Sequence, residues 1–204
     1  MSRLKLLGSL SLAFLVGLAL QPEAQSQGPQ PPPKRGPEIL QRLSTDAEVP
    51  GLAQPFKGIT ANGQIQAGLF AIHPTGVPTT AVRQAADVFL AGLTRAQRDK
   101  TIFPVDDAEW RKWMNQSFYV RQGVSFLEMN AGQRDTAFGL LRASLSAKGV
   151  KLTRDIMRLN ETLGELTGNN FDEYGEWQYN MTVMGKPSAT EPWGWQIDGH
   201  HAII

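Results

Sequence analysis

Two adjacent histidines stand near the carboxyl terminus, in the run Glu191-Pro192-Trp193-Gly194-Trp195-Gln196-Ile197-Asp198-Gly199-His200-His201. The run also carries two of the chain's five tryptophans and two of its carboxylates. Imidazole and carboxylate are ordinary ligands of zinc, iron or manganese, so one chemistry is a divalent transition metal that activates water for hydrolysis. In that reading Asp198 and His200 hold the ion, and His201 or Glu191 transfers the proton. Strand geometry restricts the idea. Neighbours on a strand point to opposite faces, so His200 and His201 cannot share an ion unless the backbone bends, and Gly199 is where the sequence permits a bend. His73, Glu191 or further residues would have to complete the ligand set. The plainer reading places one imidazole in a buried hydrogen-bond network and leaves the other exposed.

Stacking is the second chemistry. Trp193 and Trp195 fall on one face of a strand, about 6–7 Å apart at ~3.3 Å per residue. That spacing suits a sugar or small-molecule ligand, with Gln196 or Asp198 alongside to hydrogen-bond. Here too a structural role competes, because two indoles bury a large apolar area. Elsewhere Trp110 and Trp113 have helical spacing and read as core. Asp106, Asp107 and Glu109 read as capping residues before they read as a cation site. Ser125 and Ser188 lie in no Gly-x-Ser-x-Gly elbow, and the chain has no phosphate loop or dinucleotide fingerprint.

The elements that must position these residues follow from periodicity. Asn62-Gly63 marks a hairpin within Phe56 to Ile72. Thr80 caps a helix whose Val82, Ala85, Ala86, Phe89, Leu90 and Leu93 form one apolar stripe. Thr94 and Gln97 have the spacing of a capping box for a short second helix ending before Pro104. Asp106 and Glu109 open a third, with Trp110, Trp113 and Met114 on its apolar side. Asn130 caps a fourth through Ala137, Phe138, Leu141 and Leu145, closed by Gly149. Thr153 starts a fifth, with Ile156, Leu159, Leu163 and Leu166 turned inward. Beyond Gly168 the period becomes two: Trp177, Tyr179, Met181 and Val183 alternate with polar residues, and Trp193, Trp195 and Ile197 do so again after Gly185-Lys186-Pro187. The fold class is therefore α+β, a helical N-terminal half packed against a mostly antiparallel sheet completed by C-terminal strands. The apolar ending His201-Ala202-Ile203-Ile204 suggests a domain that continues further.

At the other end, Arg3 and Lys5 precede an apolar run from Leu6 to Leu20, and Ala24-Gln25-Ser26 offers a cleavage site. About 15 apolar residues are short for a membrane span, which needs about 20, so residues 1–26 read as a cleavable signal peptide and the protein as secreted or periplasmic. No membrane span is expected after cleavage. Prolines at 29, 31, 32, 33 and 37 make residues 27–55 read as an extended, disordered tether with a helical turn or two at Glu38 to Leu43, and 56–204 as a single domain. Among 20 basic and 19 acidic residues, cleavage removes Arg3, Lys5 and Glu23 and leaves the charges balanced. With no basic cluster, nucleic acid is excluded as a partner. The absence of cysteine leaves core packing alone to hold the fold.

Read in order, Gly76-Val77, Asp106-Asp107-x-Glu109-Trp110-Arg111-x-Trp113, Gln122-Gly123-Val124, Gln133-Arg134, Gly185-x-Pro187-Ser188 and the Trp193-to-His201 string together resemble the family known as domain of unknown function 3500. The likeness extends over about Phe56 to Ile204. It implies an exported protein and supplies no activity, cofactor or catalytic residue.

Overall fold

A computed structural model describes residues 34–68 and 76–204. The expected signal peptide, the first part of the expected tether and His73 lie outside those residues. Five α-helices and seven short strands follow in chain order. They are α1 (Pro37–Leu52), β1 (Thr60–Ala61), β2 (Gln64–Ile65), α2 (Thr80–Gly92), α3 (Arg95–Asp99) and β3 (Ile102–Phe103). After a 3-10 turn at Ala108–Arg111 come β4 (Val124–Ser125), α4 (Ala131–Ser144), α5 (Ala147–Leu166), β5 (Tyr179–Met184), β6 (Gly194–Gly199) and β7 (Ala202–Ile203).

The expected α+β class is what the chain adopts. Strand β5 is the spine of the larger sheet. It pairs antiparallel with β6, which pairs antiparallel with β7. Its other edge is shared end to end by β3, the one parallel neighbour, and by antiparallel β4. Alternation along β5 divides the sheet into two faces. Tyr179, Met181 and Val183, with Ile197 of β6, are fully buried against Phe89 of α2, Phe138, Leu140 and Leu141 of α4, and Met157 of α5. Burying each such side chain contributes roughly 1.5–3 kcal/mol, so this face carries most of the folding energy. The opposite face presents Asn180, Thr182 and Asp198, and the segment 104–123 passes over it.

Several local expectations hold. Asn62 (φ 51°) and Gly63 (φ 76°) turn the β1–β2 hairpin. Thr94 with Gln97, and Asn130 with Gln133, form full capping boxes on α3 and α4.

Others are corrected. Residues 37–52 are helix rather than tether, because Pro37 sits in the first turn, where a missing N–H costs nothing, and polar side chains anchor α1 to the domain. The third helix is only the 3-10 turn. Asp107, not Asp106, caps it by accepting from the Glu109 amide at 2.8 Å. One turn cannot bury a stripe, and Trp113 stays 54 % exposed. Helix α5 begins at Ala147, because Ser146 accepts from the Gly149 amide. Gly149 thus lies inside α5 instead of closing α4. The buried face of α5 is Thr153, Met157, Asn160 and Gly164, whereas Leu159 and Leu166 are 66 % and 79 % exposed. Small and polar residues win that face because the 170–175 segment lies directly on it: Asn160 Nδ2 donates to the Gly175 carbonyl at 2.9 Å.

Candidate functional site

The histidine pair occupies the two-residue turn joining β6 to β7, since Gly199 pairs with Ala202. The bend lies in this turn and not at Gly199. His201 takes the left-handed corner (φ 63°), and the two rings come within 3.9 Å of each other, centroid to centroid. Gly199 serves a different purpose. A Cβ there would stand 2.0 Å from the Tyr179 ring, so its bare backbone lets that ring close the core while Tyr179 Oη donates to the His200 carbonyl at 2.8 Å.

His200 is locked by Asn160. Because Asn160 Nδ2 is spent on the Gly175 carbonyl, its Oδ1 faces His200 Nδ1 at 2.8 Å and must accept from it. The proton therefore sits on Nδ1, leaving Nε2 with its lone pair. Burial first, then the neighbouring His201 and Arg121, lower the ring's pKa to about 4, so it is neutral at physiological pH. His201 receives a hydrogen bond from Asn115 Nδ2 at 3.3 Å.

Asp198 does not join His200 in this arrangement. Its Oδ1 lies 3.3 Å from Arg121 Nε, both side chains being buried. Burial pushes the Asp198 carboxyl up, while the Arg121 guanidinium and the Met114 amide pull it back. Glu191 is exposed on the β5–β6 connection, its amide donating to Ser188 Oγ at 3.0 Å. Trp193 and Trp195 are half-buried against the core, and the Trp193 indole donates to the Ser188 carbonyl at 3.0 Å. Among the described residues no three His, Cys, Asp or Glu side chains converge as ligands for a metal ion.

The structure instead assembles a polar layer on the sheet face away from the core. Arg121 is its hub. Beyond Asp198, its guanidinium donates to the carbonyls of Tyr119 (3.0 Å), Met114 (2.6 Å) and Gln116 (3.0 Å), which folds the 114–121 loop around it. Gly123 lets that loop reach β5: its φ is +83°, and a Cβ would meet the Met181 carbonyl oxygen at 2.1 Å. Tyr119 Oη donates to Glu48 at 2.6 Å, and Lys112 lies 3.5 Å from Glu48 and 3.8 Å from Glu109. Burial, with Glu48, Asp107 and Asp198 nearby and Lys112 opposing, raises Glu109 to about 7.

Three buried polar atoms of this layer, Arg121 Nε, Asp198 Oδ1 and Thr182 Oγ1, make no hydrogen bond. The first two attract each other outside hydrogen-bond geometry. Arg121 also lines a cleft of about 170 Å³, whose walls include Ser117, Glu173, Gln178, Asn180 and His200. A second cleft of about 190 Å³, near Arg111, Lys112 and Tyr119, lies along α1.

Of the residues singled out in the sequence, only His200 reaches the first cleft. Arg121 and Glu173 escaped notice, and Asn180 reads there only as a polar position of the predicted strand. One signal did point to Arg121: a carboxylate alternating with Ile197 on an interior strand demands a buried counter-charge.

A family model described as "Protein of unknown function (DUF3500)" matches residues 75–204. The match takes in the cleft's polar lining and excludes α1 and the β1–β2 hairpin. No curated protein and no solved structure matches the chain.

Proposed function

The chain belongs to the DUF3500 family, and on that footing we propose that it is an exported protein that binds a small, hydroxyl-rich solute in the cleft beside His200. One observation carries the reading. Arg121, whose buried Nε has no hydrogen bond, also lines the cleft, among the hydrogen-bonding side chains of Ser117, Glu173, Gln178 and Asn180. Buried polar groups are otherwise almost always satisfied, and unsatisfied ones cluster where something remains to be bound. The cleft mixes donors and acceptors: Arg121 donates, Glu173 accepts, and Ser117, Gln178 and Asn180 can do both. That mixture suits hydroxyl groups, which donate and accept. At about 170 Å³ the cleft is below the roughly 300 Å³ of drug-sized sites, so the ligand is of monosaccharide size. The glycan reading thereby moves from Trp193 and Trp195 to the polar face.

Metal-assisted hydrolysis keeps one supporting feature. A neutral imidazole whose Nδ1–H is held by a carbonyl oxygen has the orientation of a metal-ligating histidine.

A thermal-shift panel of monosaccharides, polyols and divalent zinc separates the two. The solute reading expects at least one sugar or polyol to raise the melting temperature by several degrees at saturation, as ligand-linked stabilisation requires. Glu173→Gln should abolish that shift. A response to zinc alone, removed by His200→Gln, would replace the solute reading with the metal one. A panel without any response would sink both.

A further inference from the structure

Helix α1 lies outside the family match, yet every residue that receives it lies inside. Its docking is unusual in kind. Only Ser44 is fully buried on α1, while Ile39 and Val49 remain 45 % and 59 % exposed. Leu40, Leu43, Ala47 and Leu52 are half-buried, and the directional contacts are polar. Ser44 Oγ accepts from the Val120 amide at 2.8 Å. One turn on, Glu48 accepts from Tyr119 Oη at 2.6 Å and faces Lys112 at 3.5 Å. Arg111 then donates to the carbonyls of Gly51 (2.9 Å) and Gln54 (2.8 Å), beyond the helix's last full turn. Before the helix, Arg35 pairs with Glu173 at 3.0 Å.

A helix held this way is read by its chemistry as well as by its bulk. The receiving groups specify a hydroxyl, a carboxylate four residues later, and free carbonyls at the helix end. The Tyr119 phenol makes a short, charge-assisted hydrogen bond to that carboxylate, and the Lys112 ammonium adds an ion pair at 3.5 Å. An apolar contact would commit the helix permanently, whereas polar, half-exposed contacts resemble those of reversible interfaces. The cleft of about 190 Å³ alongside Glu48, Arg111 and Lys112 leaves room for that exchange.

We propose that Arg111, Lys112 and Tyr119 form a peptide-carboxylate site of the domain, which α1 fills in cis through Glu48 and which an acidic helical segment from another polypeptide takes in trans. This site adjoins the solute cleft beside His200, sharing Tyr119 with it, but is argued from the α1 contacts alone. A cis occupant on the same chain acts at a high effective concentration, so it suppresses a trans competitor by the fraction of time it stays bound.

The experiment uses the mature chain and a fluorescent synthetic peptide of residues 37–54, read by anisotropy. The wild-type chain should bind the peptide weakly. Ser44→Ala with Glu48→Gln in the chain should tighten binding at least tenfold by freeing the site. Adding Tyr119→Phe to that double variant should reverse most of the gain, and a peptide carrying Gln in place of Glu48 should bind at least tenfold more weakly. Equal affinity of wild-type and double-variant chains, or indifference to Tyr119→Phe, would overturn the proposal. Hydrogen exchange on the wild-type chain gives a test free of any folding defect in the variants. Excess unlabelled peptide should speed exchange in α1 and leave α4 unchanged, and unchanged α1 protection would equally overturn it.

Discussion

The polar layer's chemistry is set by single residues and by what burial does to them. Glu109 is 5 % exposed and has Lys112 as its close cation. Its pKa rises from an ordinary 4.5 to about 7. For an acid whose folded pKa is raised, the stabilising contribution is full below about 4.5 and is lost as pH climbs through about 7. Glu109→Gln should therefore flatten the decline in stability between pH 5 and pH 8, by an amount bounded at about 3 kcal/mol. Urea unfolding at the two pH values measures it, and parallel behaviour of variant and wild type would show that Glu109 does not ionise in this range. His200 works in the opposite sense. Its pKa falls from 6.5 to about 4, so its contribution is present above about 6.5 and lost as pH drops toward 4. The two groups thus oppose each other in mildly acidic solution, which is why the single variant is needed to expose Glu109.

At the scale of elements, the sequence was most legible where one stripe or one cap decides the outcome. Thr94 and Asn130 announced α3 and α4, and the alternation of Tyr179, Met181 and Val183 announced β5 with its buried side. It was least legible where a distant segment decides which face is covered. Nothing in the periodicity of α5 shows that Asn160 and Gly164 will be buried while Leu159 is left out, because the 170–175 segment that selects them is recognised only in three dimensions. The same holds for α1, whose Ser44 and Glu48 look like solvent-facing residues until Val120 and Tyr119 are brought to them. The histidine turn was half legible: the sequence marked a change of direction near Gly199, but the change falls one residue later. Two substitutions check these assignments. Gly123→Ala puts a Cβ against the Met181 carbonyl in a left-handed backbone conformation, and should cost roughly 3 kcal/mol or more. His201→Gly relieves the positive φ of the β6–β7 corner and should add about 1 kcal/mol. Chemical denaturation reads both, and a tolerated Gly123→Ala would mean that the 114–123 loop does not seat on β5 as described.

Across the whole molecule, the sheet separates two tasks. One face meets α2, α4 and α5 through apolar packing and fixes the fold without a cysteine. The other carries Asn180, Thr182 and Asp198 beneath the loop organised by Arg121, and here the chain keeps its buried charges. A buried ion pair is a poor means of stabilising a fold, since desolvation offsets most of its attraction, so its retention fits a face used for recognition. The family match covers both faces, and α1 is laid across the second from outside it. The most direct test is nuclear magnetic resonance on the mature chain, titrated with the monosaccharides and polyols of the panel. The account predicts that the Gln178 and Asn180 side-chain amides and the His200 ring shift together and saturably, while the Trp193 and Trp195 indole N–H signals stay in place. Shifts confined to the two indoles, or no saturable shift at all, would contradict it.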